Sequence, residues 1–349
     1  MNNDVRKNIA ISFSNLRFPL MIGVVINHCA ITDSGNQVME NVTMFCSIVL
    51  PVSCVPIFFL ISGYFFFANV RDFSLQVYKD KVKRRIYTLV LPYVFANIFM
   101  ILCYAFGHYF LPQYINPENF NVLQYSFKDF VRAFWSIDGF PICYPLWYIR
   151  NLFVICLCSP LFYFLIKQRI EIKFTILLAL ALVRLFFDLP ILLGPIYFYL
   201  GAMLSCDDIY TFLHHLNKRF VLIILSIVTI TAAYLNYITD ELLFVKLQTI
   251  TMTILTLWIS YLLSEKNGMI KSSIWGSTFF IYLYHAFPVF VINEILLMII
   301  EPSGSFSFIT TYILSIIMSI MSCMFAYYIL GKYSPSFLAL LTGGRNKWL

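Results

Sequence analysis

The stretch NLRFPLMIGVVINHC, from Asn15 to Cys29, decides the fold of this chain. Most of its side chains are apolar enough to lie in lipid, yet it carries Arg17 and His28 with ten residues between them. Similar apolar blocks recur along the chain, and a helix needs about 20 such residues to cross the bilayer core. The stretch therefore predicts the first span of a helical membrane protein, with two ionisable groups inside that span.

The composition of the whole chain indicates the same class. Of its 349 residues, 60% are hydrophobic and only 12% are charged, and the mean hydropathy is +0.81. Such values are atypical of a water-soluble globular protein. The sequence also lacks the alternating ten-residue strands of a membrane barrel. We predict an all-α, polytopic helix bundle that passes many times through the inner or plasma membrane.

Apolar blocks between charged or turn-rich breaks predict about ten transmembrane helices. The fifth and sixth blocks are short and meet at Asp188-Leu189-Pro190, so one broken helix is an alternative to two. The N-terminus is too polar for a signal peptide. We expect a single membrane-embedded domain over residues 1–349, without an appended soluble domain. The predicted spans are 16–34, 43–68, 86–107, 145–166, 174–187, 190–205, 220–237, 242–263, 274–300 and 308–331.

The basic residues predict the orientation. With ten spans and a cytoplasmic N-terminus, all but five of the 24 lysines and arginines fall on cytoplasmic segments. Lys128 and Arg132 lie on a long external segment, while Arg150, Arg184 and Lys246 lie within or at the edges of spans. The positive-inside rule produces this asymmetry, so both termini are expected in the cytoplasm. The net charge of +7 is therefore a topology signal, and no nucleic-acid partner is expected.

Arg17 and His28 are predicted to share one helix face. Eleven residues turn an α-helix through about three full turns with roughly 20° left over, and they separate the two positions by about 16 Å. Ionisable residues inside a membrane usually face a bundle interior or a cavity. Arg17 is expected near the cytoplasmic mouth and His28 deeper, although a snorkelling anchor and a hydrogen-bonded core histidine are the structural alternatives. The shared face favours a lined path between two compartments.

The R-x10-H spacing in the first span resembles the motif of the acyltransferase family 3 membrane proteins. Four further segments resemble that family in the same order, while residues 166–272 match it only in hydropathy. These segments are VPIFFLISGYFFF (55–67), KVKRRIYTLVLPY (81–93), PLWYIRNLFVICLCSPL (145–161) and FFIYLYHAFPVF (279–290).

The resemblance implies transfer of an acyl group from a cytoplasmic acyl-CoA to a hydroxyl group of a cell-surface glycan or glycolipid. Acetyl is the usual group in this family, so acetyl-CoA or another short acyl-CoA is the expected donor substrate. The expected partners are membrane lipids and a glycan or lipid-linked sugar acceptor. No metal is expected.

The chemistry of the first span fits such a reaction. A sugar hydroxyl is a poor nucleophile at neutral pH, so a base must draw off its proton as it attacks a thioester. Histidine suits this role because its pKa lies near neutrality, and His28 is the predicted base. A transient acyl-histidine is the alternative. Arg17, on the same face, is predicted to hold donor oxygens or to position the acceptor.

The densest cytoplasmic basic cluster is predicted to bind the donor. Acyl-CoA is strongly anionic at its nucleotide end and needs cationic donors for its phosphates. Lys83, Arg84 and Arg85 lie at the start of the third span and would meet this need. The alternative is that these charges only set the orientation of the chain.

Four residues are predicted to bind the acceptor. His285 lies inside the ninth span, and the resemblance favours a site role over that of a core histidine. Trp147 and Tyr148 begin the fourth span on the outer side, where an interfacial aromatic belt is the alternative to sugar stacking. Arg150 lies one turn further in, where an unpaired charge would be costly.

Two other functions remain open from the sequence. A secondary transporter or glycan exporter would also use buried histidine and arginine along a water-lined path, although the inverted repeat of many transporters is not evident. A membrane sensor would bind in the same pocket without reaction. Arg184 and Asp188 are four residues apart on one helix and are predicted to pair with each other rather than to belong to the site.

Overall fold

The computed structural model describes residues 2–31, 35–70, 72–114, 120–136, 139–206, 218–239, 241–270 and 273–345. Within these ranges the regular structure is helical, and no β-strand occurs among the described residues. This confirms the predicted all-α fold class.

The α-helices follow one another with short connections. They are α1 (Asn2–His28), α2 (Gln37–Thr43), α3 (Cys54–Phe67), α4 (Leu75–Arg85), α5 (Leu91–Phe110), α6 (Phe127–Phe134), α7 (Trp147–Leu157), α8 (Ser159–Ile166), α9 (Ile170–Phe186), α10 (Leu193–Met203), α11 (Lys218–Thr239), α12 (Leu242–Asn267), α13 (Thr278–Tyr284), α14 (Ala286–Ile300), α15 (Ser305–Tyr333) and α16 (Pro335–Thr342). Two segments are π-helical, Met44–Val49 and Ile86–Val90, and six short segments are 3-10 helical, Leu50–Ser53, Pro112–Tyr114, Val122–Gln124, Tyr144–Leu146, Pro190–Leu192 and Ser273–Ser277.

Six of the described helical segments are long and apolar enough to cross a membrane, and the number rises to eight if each of two bent helix pairs is one span. The chain is therefore a polytopic membrane protein, while the count of ten and the orientation of the termini stay predictions. The six are Asp4–His28, Gln37–Phe67, Leu75–Phe110, Arg219–Thr239, Leu242–Asn267 and Ser305–Tyr333, and the bent pairs are Tyr144–Leu157 with Ser159–Ile166 and Ile274–Tyr284 with Ala286–Ile300.

The first helix differs from the predicted span 16–34. It begins at Asn2 and ends at His28, and residues 32–34 of the predicted span lie outside the described residues. The polar N-terminal segment is helical because Val5, Ile9 and Phe13 recur at helical spacing and are buried. The prediction relied on continuous apolar runs and therefore missed this amphipathic half of the helix.

Two predicted spans are broken by prolines. The span 145–166 bends by 64° at Cys158, and the span 274–300 bends by 77° at His285. Proline lacks a backbone N–H and its ring clashes with the carbonyl four residues earlier. Pro160 and Pro288 follow these two breaks within three residues. The fifth and sixth blocks, which the sequence left open as one broken helix or two, form two separate helices, α9 and α10.

Each π-helical segment ends two residues before a proline. Pro51 would direct its ring at the carbonyl of Ser47, and Pro92 at that of Thr88, which lie within the π-helical segments Met44–Val49 and Ile86–Val90. A wider π turn relieves this clash and leaves the carbonyl without its usual helical donor. The sequence therefore sets two places where backbone oxygens become available to other groups.

The chain divides into two compact units. The first, unit 1, contains residues 1–79 and 155–275, and the second, unit 2, contains residues 80–154 and 276–349. The three boundaries fall inside α4, inside α7 and inside the 3-10 segment Ser273–Ser277. The single membrane-embedded domain predicted from the sequence stays a prediction.

In unit 1, helices α3 and α10 pack with their backbones in close contact. A Cβ at Gly63 would overlap the carbonyl oxygen of Phe198, and a Cβ at Gly201 would overlap that of Leu60. Small residues permit this approach in membrane helices, where dispersion contacts replace the hydrophobic effect. Helix α1 is joined to α12 by hydrogen bonds, among them Ser12 Oγ to Ser260 Oγ at 2.8 Å.

In unit 2, helices α5, α13 and α15 surround a buried aromatic cluster that contains Phe280 and Tyr327. Gly343, at the end of α16, has φ of +61° and lies against the π-helical segment before α5, since a Cβ there would be 2.6 Å from Thr88 Cα. Only glycine both adopts this positive φ readily and leaves room for the backbone of Thr88. Arg345 then places its guanidinium 3.7 Å from the Phe279 ring centroid.

Candidate functional site

Helix α1 carries Arg17 and His28, the predicted binding and catalytic pair. His28 is the last residue of α1 and is half-buried. Arg17 lies in the middle of α1, exposed, with its guanidinium carbon 4.9 Å from the Phe65 ring centroid. Because α1 begins at Asn2, Arg17 is a mid-helix residue. The expected position of Arg17 near the cytoplasmic mouth of the span stays a prediction.

The end of α1 is fixed by polar contacts with the second helical segment. Asn27 Nδ2 donates to the carbonyl oxygen of Ser47, which lacks its helical donor because Pro51 has no N–H. Ser47 Oγ donates to the carbonyl oxygen of Ile26 at 3.0 Å. Two hydrogen bonds thus join Ser47 to the last turn of α1, the turn that carries His28. They limit the positions that the imidazole can occupy.

The predicted donor-binding residues occupy the last turn of α4. Lys83 and Arg84 are exposed and Arg85 is half-buried. The helix continues without interruption into the π-helical segment and α5, so these cations lie at the start of a long apolar span. They belong to unit 2, whereas Arg17 and His28 belong to unit 1.

His285 lies at the break between α13 and α14 and is fully buried. Its Nδ1 is 3.1 Å from the carbonyl oxygen of Ile281 and 3.0 Å from that of Tyr282. Carbonyl oxygens only accept, so Nδ1 carries the proton in this arrangement and Nε2 is an acceptor when the ring is neutral. This histidine is tied to the backbone of its own helix.

Tyr282 connects His285 with the N-terminal end of α7. Its hydroxyl donates to the carbonyl oxygen of Pro145, and its ring centroid is 5.8 Å from that of Tyr148 in an edge-to-face contact. The Tyr282 and His285 ring centroids are 6.2 Å apart. Tyr148 is buried and Trp147 is half-buried. Two of the four predicted acceptor residues, Tyr148 and His285, are thus brought together through Tyr282.

Arg150 holds the loop that precedes α7. Its Nη1 donates to the carbonyl oxygens of Ser136 at 2.8 Å and Gly139 at 2.9 Å, and its Nε donates to Asn151 Oδ1 at 3.3 Å. The guanidinium also lies 5.9 Å from the Trp135 ring centroid. The residue therefore organises the loop between α6 and α7.

Asn97 is an organising residue that the sequence reading missed. It is fully buried in α5, donates from Nδ2 to the carbonyl oxygen of Tyr93 at 2.8 Å, and accepts at Oδ1 from Cys143 N at 3.1 Å. A lone amide within an apolar span was the available signal, because such a group is costly in lipid unless it is satisfied.

Cys143 occupies the same loop and could suggest a nucleophile. Burial raises the pKa of its thiol to about 12. The thiolate is the reactive form of cysteine, so this side chain is protonated at neutral pH and is inert. The loop before α7 therefore offers no cysteine nucleophile at Cys143.

Comparison with known proteins identifies the class of this protein. The family model described as an acyltransferase domain matches residues 11–328, nearly the whole chain. The chain belongs to this acyltransferase family, and the predicted resemblance is confirmed.

One relative with a curated description shares only part of its sequence with this chain. The succinoglycan biosynthesis protein ExoH of Rhizobium meliloti (strain 1021) is 26% identical over 191 residues, which cover 51% of this chain and 49% of ExoH. The chain thus spans about half the length of the curated relative that it matches. No solved structure matches this chain.

Proposed function

We propose that this protein is a membrane O-acyltransferase that moves a short acyl group from a cytoplasmic acyl-CoA to a hydroxyl group of a cell-envelope polysaccharide. Acetyl is the group we propose first. Family membership supports acyl transfer, and the printed role of ExoH in succinoglycan biosynthesis supports a polysaccharide acceptor. The observation that carries the catalytic part is the half-buried His28 at the anchored end of α1.

His28 is the proposed general base. The imidazole takes the proton of the acceptor hydroxyl while the hydroxyl oxygen bonds to the thioester carbonyl carbon. When the tetrahedral intermediate collapses, the carbon–sulfur bond breaks and the CoA thiolate leaves. The imidazolium then returns its proton to that thiolate, so the products are the ester and free CoA, with His28 neutral again. The anchoring of the α1 terminus by Asn27 and Ser47 supports this role because a base must be held within reach of its proton.

Arg17 is proposed to hold negatively charged oxygen atoms of the acyl-CoA donor. A guanidinium keeps its charge at every relevant pH and presents several donors in one plane. Arg17 lies on the same helix as His28, about 16 Å away along the axis for eleven residues. At that separation it suits the long CoA arm better than the reacting carbonyl.

Lys83, Arg84 and Arg85 are proposed to bind the phosphates of the donor. Two of the three are exposed and all lie where α4 meets the apolar span. On the opposite side of the reaction, Trp147, Tyr148 and Arg150 are proposed to bind the sugar acceptor, with His285 supporting the segment that carries them. These assignments follow the family resemblance and the polar contacts around the loop.

The decisive experiment supplies acyl-CoA with a labelled acyl group to inside-out membrane vesicles that contain the protein, and measures label in polysaccharide. The proposal predicts transfer that requires the protein and exceeds that of vesicles without it. Parallel reactions with labelled acetyl-CoA and labelled succinyl-CoA identify the acyl group. Polysaccharide flux without any label transfer would instead favour the exporter.

The donor site has its own test in the same assay. Arg84→Gln with Arg85→Gln is expected to raise KM for acyl-CoA at least about tenfold, because charge-assisted contacts to phosphate contribute a few kcal/mol in total. Lys266→Gln, an exposed charge at the end of α12, is the matched control and should leave KM unchanged. An unchanged KM in the double variant would remove these arginines from the donor site.

A further inference from the structure

Unit 1 contains a second feature that the transfer reaction does not use, a cavity of about 540 Å³. Its walls come from α1, α9, α10, α11 and α12 and are mostly apolar. Neither Arg17 nor His28 lines it. The proposed chemistry therefore does not account for this cavity.

The cavity is elongated along the helices. Its lining on α12 runs from Val245 and Lys246 to Tyr261. Fifteen residues of helix, from Lys246 to Tyr261, extend about 22 Å, which exceeds the roughly 15 Å of hydrocarbon in one leaflet. A chain of methylene groups would fill such a space, while a compact polar ligand would leave most of the apolar wall unused.

One end of this cavity is charged. Arg184 and Lys246 both line it, and both contact Asp188, at 3.7 Å and 3.8 Å. The predicted pairing of Arg184 with Asp188 is confirmed. Two cations share one carboxylate, and Asp188 itself is 62% exposed. The end of the cavity therefore keeps an excess of one positive charge.

The Arg184 guanidinium has unused hydrogen-bonding capacity. Its Nε and Nη1 are buried and make no hydrogen bond within the described part of the chain. Lys246 is 6% exposed and its Nζ donates to the carbonyl oxygen of Phe187 at 3.2 Å. A buried donor that makes no hydrogen bond costs free energy, and an anion with several oxygen atoms would supply the missing acceptor.

The position of the charges fits a lipid headgroup. Arg184 lies two residues before the end of α9, and Lys246 lies in the second turn of α12. Both are therefore near the ends of apolar helices, where long basic side chains reach the headgroup level of a bilayer. A cavity in unit 2, of about 510 Å³, offers a contrast, because no charged side chain lines it.

We infer that the cavity in unit 1 binds an anionic phospholipid of the surrounding bilayer, with one acyl chain along α12 and the phosphate on Arg184 and Lys246. The apolar length supplies affinity for the chain, and the excess positive charge selects the anionic headgroup. This lipid site stands apart from the acyl-transfer proposal and does not depend on it.

The test measures lipid retention by the purified full chain. The protein is exposed to equal amounts of phosphatidylglycerol and phosphatidylcholine with identical acyl chains, and the retained lipid is counted by native mass spectrometry. The wild type is expected to retain the anionic lipid about tenfold more, since charge-assisted hydrogen bonds to phosphate give that order of discrimination. Excess inorganic phosphate should leave the bound lipid in place, because the acyl chain supplies part of the affinity.

Variants distinguish the contribution of the lipid headgroup from that of the acyl chain. Arg184→Gln with Lys246→Gln should abolish the preference, whereas Lys266→Gln, on the same helix but exposed, should keep it. Ala181→Trp fills the cavity without a change of charge and should lower retention of both lipids at this site. Thermal unfolding shows whether each variant is folded. If a variant is unfolded, the comparison of the two lipids on the wild-type protein still tests the inference. Equal retention of the two lipids by the wild type, or an unchanged preference in the double variant, would overturn the inference.

Discussion

The end of α1 and the break between α13 and α14 each carry a histidine in very different surroundings. His28 ends a continuous helix and is half-buried, and its neighbour Asn27 anchors the turn. His285 is fully buried at a 77° bend, with Nδ1 directed at two backbone carbonyls. A proton-transfer base must reach a substrate, whereas a buried histidine bonded to its own helix satisfies the backbone near a break. The comparison supports the proposal that His28 is the base and that His285 supports a bent segment.

The largest expected effect concerns the helices of unit 1, the unit that carries His28. In Gly201→Ala the new Cβ overlaps the carbonyl oxygen of Leu60, so α3 and α10 must separate. We expect a loss of about 3 kcal/mol or more, because overpacking against backbone cannot be relieved by a rotamer change. The measurement is the yield of monodisperse protein and its Tm.

Gly304→Ala in unit 2 is the matched control for this substitution. No atom lies within 4 Å of a Cβ at Gly304, and its φ of −137° suits any residue. We expect a change within about 0.5 kcal/mol. Equal yields of the two variants would show that the close approach of α3 and α10 is not needed.

The second prediction tests the loop between α6 and α7 in unit 2, the unit that carries His285. Arg150→Gln loses two charge-assisted hydrogen bonds to the carbonyl oxygens of Ser136 and Gly139. We expect KM for the acceptor to rise about tenfold, with a smaller change in kcat, because the loop loses its anchor. Arg132→Gln, an exposed charge in α6, should leave KM unchanged. A fall in kcat alone would place Arg150 in the chemistry instead.

The third prediction concerns the anchor of His28. Asn27→Ala removes the amide that satisfies the Ser47 carbonyl oxygen, so the α1 terminus gains freedom. We expect kcat to fall about fivefold, the equivalent of one hydrogen bond of about 1 kcal/mol. Asn41→Ala removes an exposed amide from α2 and serves as the control. An unaltered rate would show that the base needs no such support.

The smallest effect is a pH dependence in α6. A hydrogen bond from the Ser126 hydroxyl, with a second from the Ser126 backbone N–H, lowers the pKa of Asp129. The charged carboxylate is thus favoured in the folded loop. This contribution is present above the ordinary pKa of aspartate and is lost as the pH falls through the lowered value. Hydrogen exchange of α6, corrected for intrinsic rates, should increase in acid in the wild type, and Asp129→Asn should remove this dependence.

Much of the helix arrangement was predictable because lipid demands apolar blocks of a certain length. The start of α7 at Trp147 and the separation of α9 from α10 follow from Pro145 and Pro190 in the sequence. The start of α1 was missed because its polar half is stabilised by burial of one face in tertiary contacts, which an average over apolar residues does not reveal.

The site was predictable as a set of residue types but not as a set of contacts. The family match to residues 11–328 confirms the class that the R-x10-H spacing suggested, while the roles of His28 and Arg17 stay predictions. The roles of Asn97 and Tyr282 depend on long-range hydrogen bonds to Cys143 and Pro145, which no local pattern records. The break at His285 was readable from Pro288, yet the span was predicted as continuous.

The most direct measurement compares His28→Gln with His285→Gln in a single-turnover transfer assay with saturating acyl-CoA and acceptor. The account predicts a loss of at least about a hundredfold for His28→Gln, the contribution of a general base, and less than about tenfold, with a lower Tm, for His285→Gln. His108→Gln, a substitution in the last turn of α5, should change neither the transfer rate nor the Tm. Near-normal transfer by His28→Gln, or a greater loss in His285→Gln at unchanged Tm, would contradict the account.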